Sequence, residues 1–417
     1  MFPLLYLSPN DYRFTKWRRY SLDFADMFAR ADSYLSSGLN LIADYPLSTS
    51  YKRKSSLVAR KKFKRLRYCS DNLNFKLGFD NLLRLNHANF CRDRMCLLCN
   101  WRRRLKYSFN LYTTISSLHN DYNIIFATFT APNVHIKDLR LSIQKLHKAF
   151  NYLLGYGSSL PTDLRKGGLI GSSDYCLGSF RTIECTRRIT SFIGSNKDYD
   201  GNYYCKDKSI PPYGFDYHPH LHAILLVDKN ASFIPHNDFN TNNKYNWVSL
   251  WTKALIRAGY PCNLDILQQG YNKNDSSFSA GCRVSLVNKN SDTEAQIKKS
   301  IYETSKYGFD ITKFKSNYYI ERYDKHIQVG HLVEFANQIH NQNFLVTNGI
   351  LRGCVINNNH ENLVSVNTSS NEITGKNINF TWDNNTGYYL LSSKDDYNKP
   401  LSFATTNHEG INPFEFV

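Results

Sequence analysis

The sequence has no uninterrupted apolar stretch of the length that a membrane-spanning helix needs, which is roughly 18 residues or more. The opening segment, residues 1–7, is too short for a secretory signal peptide, and no basic region precedes its apolar residues. Both absences weigh against a membrane-bound or secreted protein. We therefore expect a cytoplasmic protein with no membrane partner.

Acidic residues are scarce relative to basic ones. The chain of 417 residues has 35 Asp and Glu against 52 Lys and Arg, so its formal net charge is +17. Such an excess favours a polyanionic partner, with nucleic acid as the first candidate. Much of the positive charge lies in residues 51–67. A basic run of this kind is typical of a solvated helix face or of a surface that binds phosphates without sequence preference.

The ten cysteines indicate metal ligands or free thiols, because disulfides are rare in large intracellular proteins. Cys96 and Cys99 have the Cys-x-x-Cys spacing with which two thiolates bind one tetrahedral zinc ion. Cys69 and Cys91 would complete the set, and His87 is a reserve ligand. The alternative is a group of reduced, partly buried thiols without metal. A redox role is disfavoured, since the context is not the strand-to-helix pattern of thioredoxins.

Three histidines alternate with other residues just before an apolar run, in His218-Pro219-His220-Leu221-His222. Read as a β-strand, this segment places the three imidazoles on one face, and the apolar run that follows anchors the strand in a buried sheet. Neighbouring imidazoles can bind one divalent cation. The alternative is an ordinary half-buried strand that happens to be rich in histidine.

A carboxylate in the predicted strand 178–186 is our candidate for the third metal ligand. Glu184 would supply negative charge and an oxygen ligand for Mg²⁺ or Mn²⁺. His218 is the alternative ligand. A salt bridge between Glu184 and Arg181 or Arg187 is an equal alternative use of the carboxylate.

The segment Glu294–Tyr307 has helical spacing, and Glu303 and Tyr307 fall on one face of that helix. A phenol has a pKa of about 10, so it needs a nearby cation or base to act as a nucleophile at neutral pH. Lys306 is adjacent in sequence. Tyr302 is the competing nucleophile, although it lies off the face shared by the other two. The alternative for the whole segment is an ordinary amphipathic helix.

Four blocks together resemble the rolling-circle replication initiators of bacterial plasmids, within the HUH endonuclease superfamily. These are the Cys91–Arg104 segment, the Phe126–Thr130 strand that leads into Pro132-Asn133, the histidine strand and the helix with Tyr307. They follow one another in the order typical of the family between Cys69 and Gly308. The N-terminal and C-terminal extensions match no feature of that family.

The resemblance implies an α+β fold. It consists of a central antiparallel sheet with flanking helices, the HUH endonuclease fold, with the histidines on a middle strand and a small Cys-rich zinc module before it. We expect an N-terminal extension at 1–60, the basic Cys-rich module at 61–110 and the nickase domain at 111–340. Residues 341–417, rich in Asn, Ser and Thr, are expected to be accessory or weakly ordered.

The implied activity is nicking of a plasmid origin, single-stranded or in a hairpin. Tyr307 would attack the scissile phosphate, remain joined to the 5′ end and leave a free 3′ hydroxyl for a host polymerase. A divalent cation on His220, His222 and Glu184 would polarise the phosphate. Lys306 would stabilise the phenolate or the phosphate.

Glu303 occupies the position that a second tyrosine has in other initiators of the superfamily. There a carboxylate can act as general base on water, so the reaction would end by hydrolysis. The arginines Arg102, Arg103 and Arg104 are expected to begin a helix that contacts DNA phosphates. A host helicase is an expected partner. The alternative functions are a non-catalytic, zinc-containing regulator of replication, and a relaxase or transposase of the same superfamily.

Overall fold

A computed structural model describes most of the chain and divides it into two compact units. Unit 1 comprises residues 1–109, 323–333 and 358–417, and unit 2 comprises 110–322 and 334–357. The described residues are 12–38, 48–77, 82–156, 163, 168–170, 176–189, 195–197, 203–205, 215–230, 247–260, 281–287, 293–305, 325–352, 376–392 and 402–403. No helix within these ranges is long and apolar enough to cross a membrane.

The described elements comprise helices and short strands. The helices are α1 (Tyr12–Ser36), α2 (Thr49–Arg67), α3 (Leu97–Leu118), α4 (Leu139–Leu154), α5 (Trp247–Arg257), α6 (Thr293–Thr304) and α7 (Lys325–Gln338). The strands are β1 (Asn72–Leu77), β2 (Leu82–Ala88), β3 (Asn123–Thr130), β4 (Val134–His135), β5 (Gly178–Ile189), β6 (Ser195–Lys197), β7 (Tyr203–Cys205), β8 (Phe215–Val227), β9 (Cys282–Leu286), β10 (Leu345–Gly349), β11 (Lys376–Asp383), β12 (Tyr388–Leu391) and β13 (Ser402–Phe403).

Unit 1 contains a helical pair and a five-stranded sheet. The sheet has the order β12-β11-β1-β2-β13, and β1 pairs antiparallel with both β2 and β11. The C-terminal part of the chain thus pairs with a strand near residue 75. The region after residue 340, predicted from composition to be accessory or weakly ordered, contributes β11, β12 and β13 to this sheet and β10 to the other.

Helix α1 was not expected from the sequence, although residues on its buried stripe recur at helical spacing. Phe24 and Phe28 are fully buried, but Arg18 and Ser21 lie in the same stripe and interrupt its apolar pattern. The Arg18 guanidinium has partners inside the protein, because its Nη1 donates to the carbonyl oxygen of Leu66 at 2.9 Å and its Nη2 pairs with the Asp71 carboxylate. Because polar residues interrupt the buried stripe, the spacing of apolar residues in the sequence does not predict this helix.

Unit 2 is built on an antiparallel sheet with the order β10-β5-β8-β3-β9, and β4 also pairs with β8. One face of the sheet is covered by helices. Phe129 of β3 packs 5.9 Å from Phe150 of α4 and 4.8 Å from Trp251 of α5, measured between ring centroids. The strand predicted at 178–186 lies within β5. Residues rich in β-branched and aromatic side chains predict a strand over 123–133, which in the structure ends at Thr130. Apolar residues at helical spacing predict a helix over 139–154, and α4 confirms it. The fold is thus α+β, with helices and mainly antiparallel sheets, and β8 is a middle strand.

Candidate functional site

The histidine segment lies on β8, with the side chains on one face of the sheet. His220 and His222 alternate with Leu221 and Ala223, which are fully buried on the opposite face. The aliphatic end of β8 anchors the strand, because residues 223–227 are all buried. The period of two in the sequence therefore produces one apolar face and one face with imidazoles.

The neighbouring strand β5 brings a carboxylate to the imidazole face. In the register of the two strands, Glu184 pairs with His220 and Thr182 pairs with His222. Residues paired in this way have side chains on the same face. Glu184 Oε2 lies 3.2 Å from His220 Nε2 and 3.3 Å from His222 Nε2. The ligand atoms of the three residues all lie within 4.8 Å of one another.

Hydrogen bonds to the outer ring nitrogens orient both imidazoles. His220 Nδ1 lies 3.3 Å from the carbonyl oxygen of His218, and because a carbonyl only accepts, this nitrogen carries the hydrogen. His222 Nδ1 lies 3.1 Å from Thr128 Oγ1, which can accept in the same way. In the neutral rings, both Nε2 lone pairs then face the Glu184 carboxylate. Acceptor atoms this close need a cation among them, so the residues fit a divalent metal ion.

Electrostatics keep the carboxylate ionised. Burial by itself raises the pKa of the Glu184 carboxyl, because only 6% of the residue is exposed. When the rings are protonated, hydrogen bonds from His220 and His222 and their positive charge outweigh burial and hold the pKa of the Glu184 carboxyl well below its usual range. A bound cation would take the place of those protons. An ionised carboxylate beside two imidazoles is a suitable ligand set for Mg²⁺ or Mn²⁺.

The alternative third ligand, His218, lies outside the group of converging ligand atoms. Its ring centroid is 5.4 Å from that of His220, and its Nδ1 is 2.7 Å from Asn133 Oδ1. The group that can hold one ion comprises Glu184, His220 and His222. The geometry therefore favours the carboxylate.

A salt bridge to Arg181 is the other use considered for Glu184, and the strand geometry argues against it. Arg181 lies on the opposite, buried face of β5, with Nη2 3.0 Å from Asn151 Oδ1 and its guanidinium over the Phe150 ring. Burial lowers the pKa of Arg181 to about 9. Within the described ranges, Glu184 has ion-pair contacts with the two histidines alone. The Arg187 side chain lies outside the described residues.

The strand register places a cation that sequence reasoning missed at the same face. Thr128 on β3 pairs with His222 on β8 and with Arg283 on β9. Arg283 is exposed, and within the described part of the chain its side chain makes no hydrogen bond or ion pair. Because neighbouring strands are about 4.8 Å apart, its side chain can reach an anion bound at the histidines. The short β9 sequence carries no signal for this, since the placement depends on the pairing of β3 with β9.

Helix α6 ends beside the imidazole face. Thr182 donates a hydrogen bond from Oγ1 to the carbonyl oxygen of Thr304, and Thr182 is the register partner of His222. Glu303 and Tyr302 are half-buried in the last turn of the helix. Outside the described residues lie Lys306 and Tyr307. The position of the predicted nucleophile therefore stays a prediction, although the helix that leads to it ends next to the site.

A second candidate site, in unit 1, consists of four cysteines. Cys69 Sγ lies 3.5 Å from both Cys96 Sγ and Cys99 Sγ, and Cys91 Sγ lies 3.7 Å from Cys99 Sγ. All four sulfur atoms lie within 4.8 Å of one another. The set fits the four-thiolate coordination of a structural zinc ion. The reserve ligand His87 is exposed on β2 and is not in this group.

The four thiols of the cluster differ in pKa. Burial raises the pKa of the Cys96 thiol, but hydrogen bonds with the other three thiols and with Ser21 outweigh burial, so its pKa lies well below the ordinary value. Thiol contacts and burial raise the pKa values of Cys69, Cys91 and Cys99. The cluster thus favours negative charge at one sulfur, as expected where a metal ion replaces thiol protons.

Contacts from α2 hold the loop that carries Cys91. The buried Asp93 carboxylate accepts a hydrogen bond from the backbone nitrogen of Met95 at 2.9 Å and forms an ion pair with Lys62 at 2.8 Å. Arg65 Nη2 donates to the carbonyl oxygen of Cys91 at 2.6 Å. The loop is therefore ordered by protein contacts as well as by the thiols.

The arginine triplet at the start of α3 is largely enclosed by protein. Arg102 and Arg103 are buried, and Arg104 is half-buried. Arg103 donates to Asn100 Oδ1 at 3.0 Å and to the carbonyl oxygen of Arg92. Burial lowers the pKa of Arg102 to about 10. Arg103 thus supports the fold of the Cys-rich segment, and DNA contact by the triplet stays a prediction.

Comparison with known proteins gives consistent matches. The profile of a family described as "Replication protein" matches residues 82–390. "Protein rep" of Bacillus amyloliquefaciens is 28% identical over 221 residues, which cover 52% of this chain and 52% of that protein. "Protein rep" of a Bacillus species is 28% identical over 254 residues, 59% of this chain and 66% of that protein. "Protein rep" of Streptococcus pneumoniae is 27% identical over 205 residues, 48% of this chain and 52% of that protein. The chain thus spans about half the length of the curated relatives it matches first. No solved structure matches it significantly.

Proposed function

This chain belongs to the replication protein family, and we propose on that premise that it initiates rolling-circle replication of a plasmid by nicking origin DNA. Within the proposal it is an HUH endonuclease of the group with a glutamate in place of the second tyrosine. The observation that carries the proposal is the convergence of His220 Nε2, His222 Nε2 and Glu184 Oε2 on one sheet face. This face is also where α6 ends.

The three converging residues would hold Mg²⁺ or Mn²⁺. The bound cation would polarise the scissile phosphate and neutralise the negative charge that develops in the transition state. The protein's own contribution is orientation: the carbonyl of His218 and the hydroxyl of Thr128 fix the two rings so that each presents Nε2. The exposed Arg283, one strand beyond Thr128, would bind an oxygen of the same phosphate.

Tyr307 would supply the nucleophile. Its phenolic oxygen loses its proton and forms a bond to phosphorus, while the bond between phosphorus and the 3′ oxygen breaks. The departing oxygen takes up a proton and becomes the 3′ hydroxyl that a polymerase extends. One phosphate ester replaces another, so the later strand closure needs no ATP. Lys306 would stabilise the phenolate or the phosphate, since a cation favours the ionised form of a neighbouring phenol.

Glu303 would act at termination. A carboxylate in the last turn of α6 can accept a proton from water, and the activated water then hydrolyses a phosphotyrosine link. This step would release the protein from DNA without another round of transfer.

The four cysteines, Cys69, Cys91, Cys96 and Cys99, would hold a structural zinc ion. Their thiols join the C-terminal end of α2, the loop after β2 and the N-terminal end of α3. A metal at this junction would stabilise the folded state, because binding of the ion by these thiolates is coupled to folding of the three segments that carry them.

Origin DNA is the proposed substrate, as a single strand or a hairpin, and host helicase and polymerase are the proposed partners in the cytoplasm. The test uses single-stranded oligonucleotides that tile the replicon carrying the gene, incubated with the protein and Mn²⁺. A covalent adduct that survives denaturing electrophoresis is expected for the wild type and not for Tyr307→Phe. Loss of the adduct in His220→Ala, with the fold retained, would link the chemistry to the metal ligands.

A wild-type protein that binds these oligonucleotides but forms no adduct would contradict the proposal. That result would instead support a non-catalytic regulator of replication. An adduct that persists in Tyr307→Phe would move the nucleophile to Tyr302.

A further inference from the structure

The outward face of α2 carries a dense set of cations. The helix contains no acidic residue. Its exposed basic residues are Arg53, Lys54, Arg60, Lys61, Lys64 and Arg65. Its buried residues are small or apolar, and apart from Lys62, which is half-buried and pairs with Asp93, its inner face differs clearly from the basic outer face. We call these six exposed residues, with the exposed side chains of Leu57 and Tyr68 between and beside them, the α2 surface.

Some of the cations on α2 are used within the fold. Arg60 Nε lies 3.0 Å from Asp32 Oδ2, and Arg65 holds the loop that carries Cys91. The others have no such role. Within the described part of the chain, no hydrogen bond or ion pair involves the side chains of Arg53, Lys54, Lys61 or Lys64.

Such clustering is unfavourable for the helix itself. Lys61 lies three residues before Lys64 and four before Arg65, and like charges at these spacings repel on a helix surface. Arg53 and Lys54 lie in the second turn, and the first turn has no acidic residue to offset their charge. The protein tolerates this repulsion at a surface that packs on nothing described. An anionic partner would relieve it.

We infer that the α2 surface binds the phosphate backbone of duplex DNA without sequence preference. From Arg53 to Arg65 the helix rises about 18 Å, at about 1.5 Å per residue. Over that length duplex DNA presents roughly ten phosphate charges. Leu57 and Tyr68, which are 50% and 63% exposed, lie in the same stripe, where a phenol can donate to a phosphate oxygen.

This assignment differs from the DNA contacts predicted for the arginine triplet. Arg102 and Arg103 are buried, whereas the α2 surface is open to solvent. The choice of DNA among polyanions rests on the proposed function. The contact lies outside the nicking residues and does not need them.

The test measures binding of the full chain to a short duplex of arbitrary sequence, without divalent metal, over a series of potassium chloride concentrations. The variant Lys54→Gln/Lys61→Gln/Lys64→Gln removes three unpaired charges from the α2 surface. Each lost phosphate contact reduces the slope of log K against log salt by about 0.9, so the slope should become shallower by about three. A variant with the same lysines replaced by arginine should retain the wild-type slope.

The matched control is Lys137→Gln/Lys229→Gln/Lys253→Gln, which removes three exposed lysines of unit 2. It changes the net charge of the protein by the same amount. An equal decrease in the salt-dependence slope in both variants would therefore show that net charge alone, and not the α2 surface, determines DNA binding, and would overturn the assignment. An unchanged slope in the α2 variant would also overturn the assignment. So would an α2 variant that still binds the duplex but no longer binds phosphatidylserine vesicles, because the surface would then bind lipid. Since the duplex has no origin and the assay no metal, the result does not depend on nicking. Adduct formation tests nicking separately.

Discussion

Glu184 and His220 are register partners on adjacent strands, and their side chains meet with Oε2 3.2 Å from Nε2. His222 Nε2 approaches the same oxygen at 3.3 Å. Because the outer nitrogen of His220 is bound to a carbonyl, the neutral ring offers a lone pair where the carboxylate offers its own. The arrangement is therefore unfavourable unless a proton or a metal ion lies between the acceptors.

Thr128 should control how tightly the site binds metal, because its hydroxyl lies 3.1 Å from His222 Nδ1. Thr128→Val removes that contact and keeps the shape of the side chain. Mn²⁺ affinity, measured by calorimetry, should fall about tenfold or more, as is typical when a partner of a metal-bound histidine is lost. Thr130→Val is the matched control, since Thr130 Oγ1 donates to the carbonyl oxygen of Gly281 and not to a histidine. Equal losses in both variants would contradict the role assigned to Thr128.

Arg283 should affect the rate of adduct formation and not the affinity for the metal ion. A charged hydrogen bond to phosphate contributes about 1.5–3 kcal/mol, so Arg283→Ala should slow adduct formation on origin DNA roughly tenfold to a hundredfold. Mn²⁺ affinity should stay unchanged. Lys253→Ala, an exposed cation on α5, is the control and should retain the wild-type rate. A loss of metal affinity in Arg283→Ala would show that the arginine supports the fold of the site instead.

Zinc content should follow the cysteine cluster. Native mass spectrometry should find one zinc ion per chain, and Cys96→Ser should lose it together with several degrees of thermal stability, because metal binding is coupled to folding. Cys176→Ser is a control in unit 2, since Cys176 Sγ donates to the carbonyl oxygen of Gly178, a bond that a serine can also make. Retention of zinc in Cys96→Ser would contradict the four-cysteine site.

His147 predicts how stability depends on pH. Burial, with the nearby charge of Arg181, lowers the pKa of His147 to about 4, although the hydrogen bond to the carbonyl oxygen of Asn343 opposes the shift. The unfolded chain binds this proton near pH 6.5 and the folded chain does not, so stability falls as the pH drops from about 6.5 toward 4. The loss amounts to at most about 3.4 kcal/mol.

The measurement is urea unfolding at several pH values in this range. The variant His147→Gln keeps a donor for Asn343 and removes the titration, so its free energy of unfolding should depend less on pH than that of the wild type. Identical pH profiles for the two proteins would contradict the assignment.

The parts of the fold that the sequence predicted are those with a local signal. The helix 139–154 has regular apolar spacing, and the strands that carry Thr128, Glu184 and His220 alternate or run apolar between turn residues. Because these signals are local, the sequence predicts each helix or strand without information on the strands that pair with it. The pairing of a carboxylate with the histidines also followed from chemistry, since two imidazoles rarely complete a site for a hard cation.

The rest depends on contacts between distant segments. Strand β11 is rich in Asn and pairs with β1 some three hundred residues earlier, a partnership that no local pattern encodes. Arg283 reaches the site only through the register of β3 and β9. Arg103 looks like a surface cation in the sequence, yet the carbonyl of Arg92 and the Asn100 side chain enclose it. The pairing of strands that are distant in sequence, and the enclosure of charged side chains by other parts of the protein, therefore could not be predicted from the sequence.

The most direct measurement is a crystal structure of the protein with Mn²⁺ and a single-stranded oligonucleotide that spans the nick site. The anomalous signal of manganese should lie among His220 Nε2, His222 Nε2 and a Glu184 oxygen. The Tyr307 hydroxyl, or the same oxygen in the adduct, should lie within about 3.5 Å of the scissile phosphorus or be bonded to it. Manganese bound elsewhere, or a Tyr307 hydroxyl directed away from the phosphate in every copy, would contradict the mechanism.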